Sequence, residues 1–296
     1  MNEKATLKST LTAYLYLTPA LIILILFSIY PIFRSFEIAF WQDYNFLRRE
    51  VHSYGFDNFT YLFNDPSFRR SITNTFSFVL GVVPIQILIS LGIALMLNSN
   101  IKFKGLFRSI YFLPFVTSVV AISMVWQFIF HTQHGILNHA LTFIGLEPIP
   151  WLTRPEYSMV SLVIMSIWRG LGFNIVILLA GLQNVNTGLY LAAKVDGARN
   201  WHRFTTVTLP AISPTLFLIS IMSVISSFRV FTEIFALFQG EAGIANRALT
   251  IVFYIFQNFW VHHRFGVASA AAVVLFAIIL IITMVQMWIG KKLVHY

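Results

Sequence analysis

Apolar runs of about 20 residues, the length a helix needs to cross the hydrocarbon core of a bilayer, recur along the whole of this 296-residue chain. The chain is therefore expected to be an all-α integral membrane protein. Six transmembrane helices are read at about 11–32, 72–97, 109–130, 157–182, 210–238 and 265–289, forming a single transmembrane domain over residues 1–296. Only 10% of residues are charged, against roughly 25% in a soluble domain. Hydrophobic residues make up 57% of the chain and mean hydropathy is +0.76. These values exclude a soluble body on a single anchor. Cysteine is absent, so neither a disulfide framework nor a thiolate metal site is expected.

Residues 1–9 lack the cleavable pattern of a secretory signal, because the apolar run beyond them is too long. Pro19 and Pro31 lie in the first span, where neighbouring groups can satisfy freed carbonyls. A mixed stretch at 34–70 carries Trp41, Tyr44, Tyr54 and Tyr61, residues suited to a membrane–water boundary. Gly81 and Pro84 predict a kink in the second span. Pro114 lies in the early turns of the third. The segment LTIVFYIFQNFW, after the fifth span, is too short for a full crossing.

Between the fourth and fifth apolar runs lies a polar stretch, Tyr190 to Pro210, with Lys194, Asp196, Arg199 and Arg203. Its order predicts a helix–turn–helix at about 188–208. Leu189 to Val195 contains good helix formers. Asp196 is expected to cap the next turn through its side-chain oxygen, and Gly197 to permit the change of direction. Trp201, Phe204 and Val207 then recur at helical spacing, and Pro210 suits the first turn of a following helix.

Ala192-Ala193, then Gly197, then Val207-x-Leu209-Pro210, with Asp196-Gly197-Ala198 and Phe204, resembles the cytoplasmic "EAA" loop of ABC importer permeases, the carbohydrate branch in particular. The resemblance runs from YLTPA in the first span to GVASA opening the last. It is nearest to the first-permease type of maltose- or glycerol-phosphate-like systems. It implies a coupling helix that docks into a separate ATPase. The implied partners are a second homologous permease, two ATP-binding-cassette subunits, an extracytoplasmic solute-binding protein, membrane lipid and a carbohydrate substrate. No cofactor is expected in this chain, with ATP and Mg on the partner subunits. Two positions depart from the family pattern: Leu191 stands where the leading Glu is expected, and Gly240-Glu241-Ala242-Gly243 where Gly-Gly-Pro is frequent.

The net charge of +9 is informative through its distribution, and no nucleic-acid partner is inferred from it. With both termini and the polar loop on one side, that side holds Lys4, Lys8, Lys102, Lys104, Arg108, Lys194, Arg199, Arg203, Lys291 and Lys292 against Glu3 and Asp196. The other side holds only arginines, among them Arg48 and Arg49, matched by acids such as Asp43. Basic residues favour the cytoplasmic face. Both termini and the loop are accordingly expected in the cytoplasm, and the resemblance implies a multi-pass protein of the bacterial cytoplasmic (inner) membrane.

No GxxxxGK[ST] loop occurs, so this chain is not expected to be the ATPase, and with no nucleophile–base or metal constellation in the sequence it is not expected to be an enzyme. His131, His134 and His139 read as a solvated loop, because zinc needs three or four converging ligands. His262-His263 reads as an interfacial pair. Charged groups inside spans are expensive, so they usually face a cavity or a partner. Arg229 and Glu233, one turn apart, are expected to neutralise each other on one helix face. Arg169, beside Gly170 and Gly172, reads as a lone cation. These residues, with Trp126, Gln127, Asn174, Gln257 and Asn258, are candidates for a substrate path, and the arginines lean toward an anionic solute. The alternative is a stand-alone ion-driven secondary transporter or channel, expected to carry ionisable residues in several spans and a symmetry-related repeat.

Overall fold

The computed structural model describes residues 7–45, 50–99 and 102–293. Glu3, Lys4, Arg48 and Arg49 lie outside the described residues, as do the side chains of Lys8 and Asp43. Helices α1 (Leu7–Leu24) and α2 (Tyr30–Ile38) are joined by a π-helical turn at Ile25–Ile29. A short antiparallel hairpin follows, β1 (Trp41–Asn45) with β2 (Glu50–Tyr54), pairing Trp41 with Tyr54 and Asn45 with Glu50. This hairpin departs from the all-helical expectation. Then come α3 (Asp57–Asn64), α4 (Pro66–Asn98), α5 (Lys104–Val116), α6 (Val119–Ile129), α7 (Ile136–Phe143) and α8 (Pro155–Gln183). The remainder comprises α9 (Thr187–Val195), α10 (Asn200–Arg203), α11 (Leu209–Ala211), α12 (Ser213–Phe228), α13 (Thr232–Leu237), α14 (Ile251–Phe256) and α15 (Phe265–Leu293).

The architecture is that of a mostly helical membrane protein. Among the described residues, four stretches are long and apolar enough to cross a membrane: Leu11–Ile38, Pro66–Asn98, Pro155–Gln183 and Phe265–Lys292. Two bent pairs raise the number to as many as six if each counts as one span. One pairs α5 with α6 at 102°, the other joins Asn200–Ala211 to α12 at 65°. The first bend has a local cause. Thr117 and Ser118 are extended, and the Thr117 hydroxyl donates to the Leu113 carbonyl at 2.8 Å, a local bond that competes with helix continuation. Proline acts differently elsewhere. The helix is continuous through Gly81 and Pro84, where a kink is expected. At Pro31 and Pro210 the preceding residue closes an i→i+5 bond, Tyr30 to Ile25 and Leu209 to Phe204. The widened turn relieves the clash between a proline ring and the carbonyl four residues back.

The chain forms two compact units, residues 1–65 with 255–275, and residues 66–254 with 276–296. In the first, Phe40 packs edge-on against Phe56 with ring centroids 5.3 Å apart. Asn58 fastens the chain after α2 by donating to the carbonyls of Ala39 and Trp41 at 3.0 and 2.7 Å. Arg264 donates to the Tyr61 hydroxyl at 2.7 Å.

In the second unit, α4 and α8 form the central crossing. Ala94, Leu178, Leu182, Ile212 and Ile219 are buried together, and Leu97, Ile175 and Leu179 form a neighbouring cluster. Burying such side chains contributes about 1.5–3 kcal/mol each where the alternative is water; in lipid, close packing itself supplies the attraction. Small residues permit that closeness. A Cβ on Gly172 would stand 2.3 Å from the Tyr111 carbonyl oxygen, so α5 crosses α8 at a point where only hydrogen fits.

Candidate functional site

Two features of the second unit stand apart from ordinary packing: a polar cavity beside α8 and an exposed helical turn after it. On α8, Ser166, Arg169, Gly170, Phe173 and Asn174 recur at three- and four-residue intervals, which places them on one helix face. All five line a cavity of ≈ 260 Å³. Gln86 of α4 and Ser223, Ser226 and Ser227 of α12 supply more of its polar wall, while Phe115 and Phe173 stack with centroids 5.2 Å apart. Gln86 and Asn174 are buried. A Cβ on Gly170 would lie 2.1 Å from the Gln86 amide nitrogen, so the missing side chain gives that amide its room.

The charges pair differently from the expectation. Arg169 donates to Glu233 at 3.0 Å, with side chains 25% and 17% exposed. Arg229 is exposed and outside the cavity lining, and no ion pair involves it among the described residues. The reason is backbone geometry. Helix α12 ends at Phe228, Val230 and Phe231 are non-helical, and α13 restarts at Thr232. Arg229 and Glu233 therefore do not share a helix face. Arg169, in turn, is not a lone cation.

The remaining path candidates fall elsewhere. Trp126 is buried against Phe130 and Trp168, at 4.9 and 5.6 Å between ring centroids. Gln127 donates to the carbonyls of Ala236 and Leu237 at 2.8 and 3.1 Å, fastening α6 to α13. Asn258 is buried in the other unit, and its carbonyl accepts from the Arg264 amide at 2.7 Å. None of the three lines the cavity. Sequence reading missed Gln86 and Ser223, Ser226 and Ser227. Their signal was polarity at helical intervals within apolar segments. It also missed Asn138, which is buried and holds the loop after α6 through four hydrogen bonds, to Thr132, Ile149 twice and the Trp151 indole. In the same loop His131 accepts from the backbone of Gln133 and His134.

The turn is built from α9, α10 and the π-helical segment Phe204–Thr208. Asn186 opens it, accepting from the Gly188 amide at 2.8 Å. Asp196 does not cap the second helix. It is the C-cap of α9, while Arg199 occupies the N-cap of α10 with no side-chain bond. What closes α9 is a Schellman arrangement. The Ala198 amide donates to the Ala193 carbonyl at 2.9 Å and the Gly197 amide to Lys194 at 3.2 Å. Gly197 has φ +73°, the left-handed conformation in which glycine is the favoured residue. The spacing from Ala193 to Ala198 is thus the spacing of one helix stop. Tyr190 and Thr208 tie the two arms at 3.0 Å between their oxygens, and Leu209 and Pro210 lead into α12. Ala192, Asp196 and Gly197 are exposed, Ala198 and Phe204 half-buried. Leu191, Val195 and Trp201 are 64%, 88% and 73% exposed.

A polar cavity between membrane helices, together with a turn that exposes several apolar side chains, suits a subunit that passes a solute and docks on something else. Residues 86–295 match the family model described as "Binding-protein-dependent transport system inner membrane component". The chain belongs to this family. As a member, it is a multi-pass permease component of the inner membrane, a non-catalytic transmembrane subunit with no cofactor of its own. Among similar proteins is the lactose transport system permease protein LacF of Rhizobium radiobacter, 33% identical over 283 residues and 94% of each chain. The arabinooligosaccharides transport system permease protein AraP of Halalkalibacterium halodurans is 35% identical over 279 residues, 93% of this chain and 86% of that one. A chain in the crystal structure of a bacterial ABC transporter involved in the import of the acidic polysaccharide alginate superposes with a TM-score of 0.82 at 26% identity, covering 97% of this chain and 98% of that one. Family membership removes the case for a stand-alone ion-driven transporter.

Proposed function

We propose that this permease, acting as one transmembrane domain, forms half of the translocation path of an ATP-driven importer for a carbohydrate. The observation that carries the reading is the cavity beside α8. Buried amides at Gln86 and Asn174, serine hydroxyls and stacked phenylalanines form the kind of wall that recognises hydroxyl-rich, partly apolar rings. The sugars named for LacF, AraP and the alginate importer support the same class.

The second half of the path is a homologous permease, and two ATP-binding-cassette subunits and an extracytoplasmic solute-binding protein complete the assembly. The turn at 187–208 is the coupling element: Leu191, Val195 and Trp201 present apolar side chains for the ATPase, and the Schellman stop through Ala193, Gly197 and Ala198 keeps the lever rigid. ATP binding moves this lever, the helices rock, and the cavity opens outward to receive solute. Hydrolysis reverses the tilt. The turn and both termini face the cytoplasm.

The test is to purify the chain from its native membrane, identify what accompanies it, and follow ATP hydrolysis while candidate sugars and their binding protein are added. A co-purified ATPase and second permease, with hydrolysis rising only with sugar-loaded binding protein, is the expected result. A chain that emerges without an ATPase and takes up solute without ATP overturns the proposal.

A further inference from the structure

The cavity beside α8 has a charge balance that bears on what it takes. Among its lining residues only Arg169 and Glu233 are ionisable, and they form an ion pair at 3.0 Å. The other polar groups in the wall are amides and hydroxyls. Paired in this way the two charges balance, so an anion entering the cavity meets no uncompensated cation. A carboxylate entering the cavity also meets the like charge of Glu233 in the same wall, an arrangement that excludes wrong partners more than it weakens right ones. Arg229, the other cation of this segment, is exposed and stands outside the lining.

Glu233 is the adjustable member of the pair. It sits in the first turn of the six-residue α13, on a different element from Arg169. The bond to Glu233 is made by a terminal nitrogen of Arg169, and its buried Nε has no hydrogen-bond partner among the described residues. With Glu233 neutralised, the guanidinium would face the cavity as an uncompensated cation, where low dielectric strengthens its pull on an anion.

We propose that the Arg169–Glu233 pair fits this cavity for an uncharged glycoside, and that Glu233 is the specificity-determining residue that excludes acidic sugars. The inference rests on the carbohydrate reading above and sharpens it. It also separates this permease from the alginate importer it resembles in fold, whose cargo is acidic.

The test uses the intact transporter complex in lipid nanodiscs, without binding protein, so that the permease cavity is read directly. Saturation-transfer NMR at millimolar sugar compares matched neutral and uronate trisaccharides: galactotriose, arabinotriose and maltotriose against trigalacturonate and a mannuronate trimer. Wild type should give saturation from at least one neutral sugar and none from the uronates. Glu233→Gln should gain uronate binding by about tenfold or more, the scale on which one unpaired charge discriminates, and raised salt should reduce that gain. The double substitution Arg169→Gln with Glu233→Gln should abolish it. Should E233Q fail to assemble, Glu233→Asp carries the same test, since withdrawing the carboxylate by one methylene should give a smaller gain. Uronates that bind wild type as well as neutral sugars overturn the charge assignment and leave the carbohydrate reading standing. A Glu233→Gln or Glu233→Asp complex that assembles without gaining uronate binding removes Glu233 as the determinant. Saturation from no sugar of either kind overturns the carbohydrate reading itself.

Discussion

The cavity face of α8 and the turn at 187–208 are built on opposite terms. Beside α8, polar groups are turned inward among apolar helices, with Asn174 1% and Gln86 7% exposed. In the turn, apolar groups are directed outward, with Val195 88% and Trp201 73% exposed. The first arrangement requires internal partners, because an unpaired polar group in a low-dielectric interior is expensive. The second requires an external one, because exposed apolar side chains next to water gain only when something covers them. The same chain thus carries one region whose buried side chains are sensitive to substitution through the fold and another whose exposed apolar side chains are sensitive through assembly.

The largest separation between the two is expected at Gly172. A valine there would drive its Cβ toward the Tyr111 carbonyl oxygen, which stands 2.3 Å from the ideal position. Backbone cannot swing aside as a side chain can, so Gly172→Val should destabilise the bundle by about 3 kcal/mol, at the upper end of overpacking effects. Thermal unfolding of the purified complex would show it as a lowered midpoint. An unchanged midpoint would mean that α5 does not cross α8 closely at this point.

The Arg169–Glu233 pair gives the next effect. Arg169→Met leaves a largely buried carboxylate unpaired. The loss should be about 2 kcal/mol, below the ~3–5 kcal/mol of a fully buried pair, because both side chains keep some exposure. Replacing both residues with methionine should recover most of it. A double substitution as damaging as the single one would show that the two groups act separately.

Sequence reading reached these two regions unequally, for a physical reason. The turn is local. Its helix stop, left-handed glycine and following proline all lie within residues 186–211, so their order in sequence is their order in space. Even there one assignment failed, since Asp196 ends a helix instead of starting one; a short polar residue before glycine suits either role. The cavity joins residues far apart in sequence. Gln86, Arg169, Ser223 and Glu233 converge only after α4, α8, α12 and α13 have packed. Arg229 and Glu233 looked paired because helical spacing was assumed to run through the break at Val230–Phe231. The apolar runs, similarly, read as six spans, where four continuous helices and two bent pairs stand among the described residues. Hydropathy measures length and composition, and is blind to an extended pair such as Thr117–Ser118.

Gly197→Ala sharpens the comparison from within the turn. A Cβ there would meet no heavy atom within 4 Å, so the effect isolates backbone strain at φ +73°. About 1 kcal/mol is expected, the scale of the left-handed penalty for a residue with a Cβ. Solute-stimulated ATP hydrolysis should fall while the membrane bundle keeps its unfolding midpoint. A fall in the midpoint comparable to that of Gly172→Val would erase the distinction between the regions.

Val195→Gln is expected to have the smallest effect on the fold and is the most direct probe of the turn. The side chain is 88% exposed, and glutamine keeps good helix propensity, so stability should change by less than about 0.5 kcal/mol. Association is a different matter. If the turn docks on the ATPase, removing a valine that becomes buried there gives up about 1.5–3 kcal/mol, or roughly tenfold or more in affinity. Pull-down of the ATPase at graded concentration, beside the unfolding midpoint, separates the two quantities. An unchanged midpoint with weakened ATPase binding is the signature of a surface made for a partner. If binding also stays unchanged, Val195 faces water in the assembly as it does in the free chain, and the docking face shifts to Leu191 and Trp201.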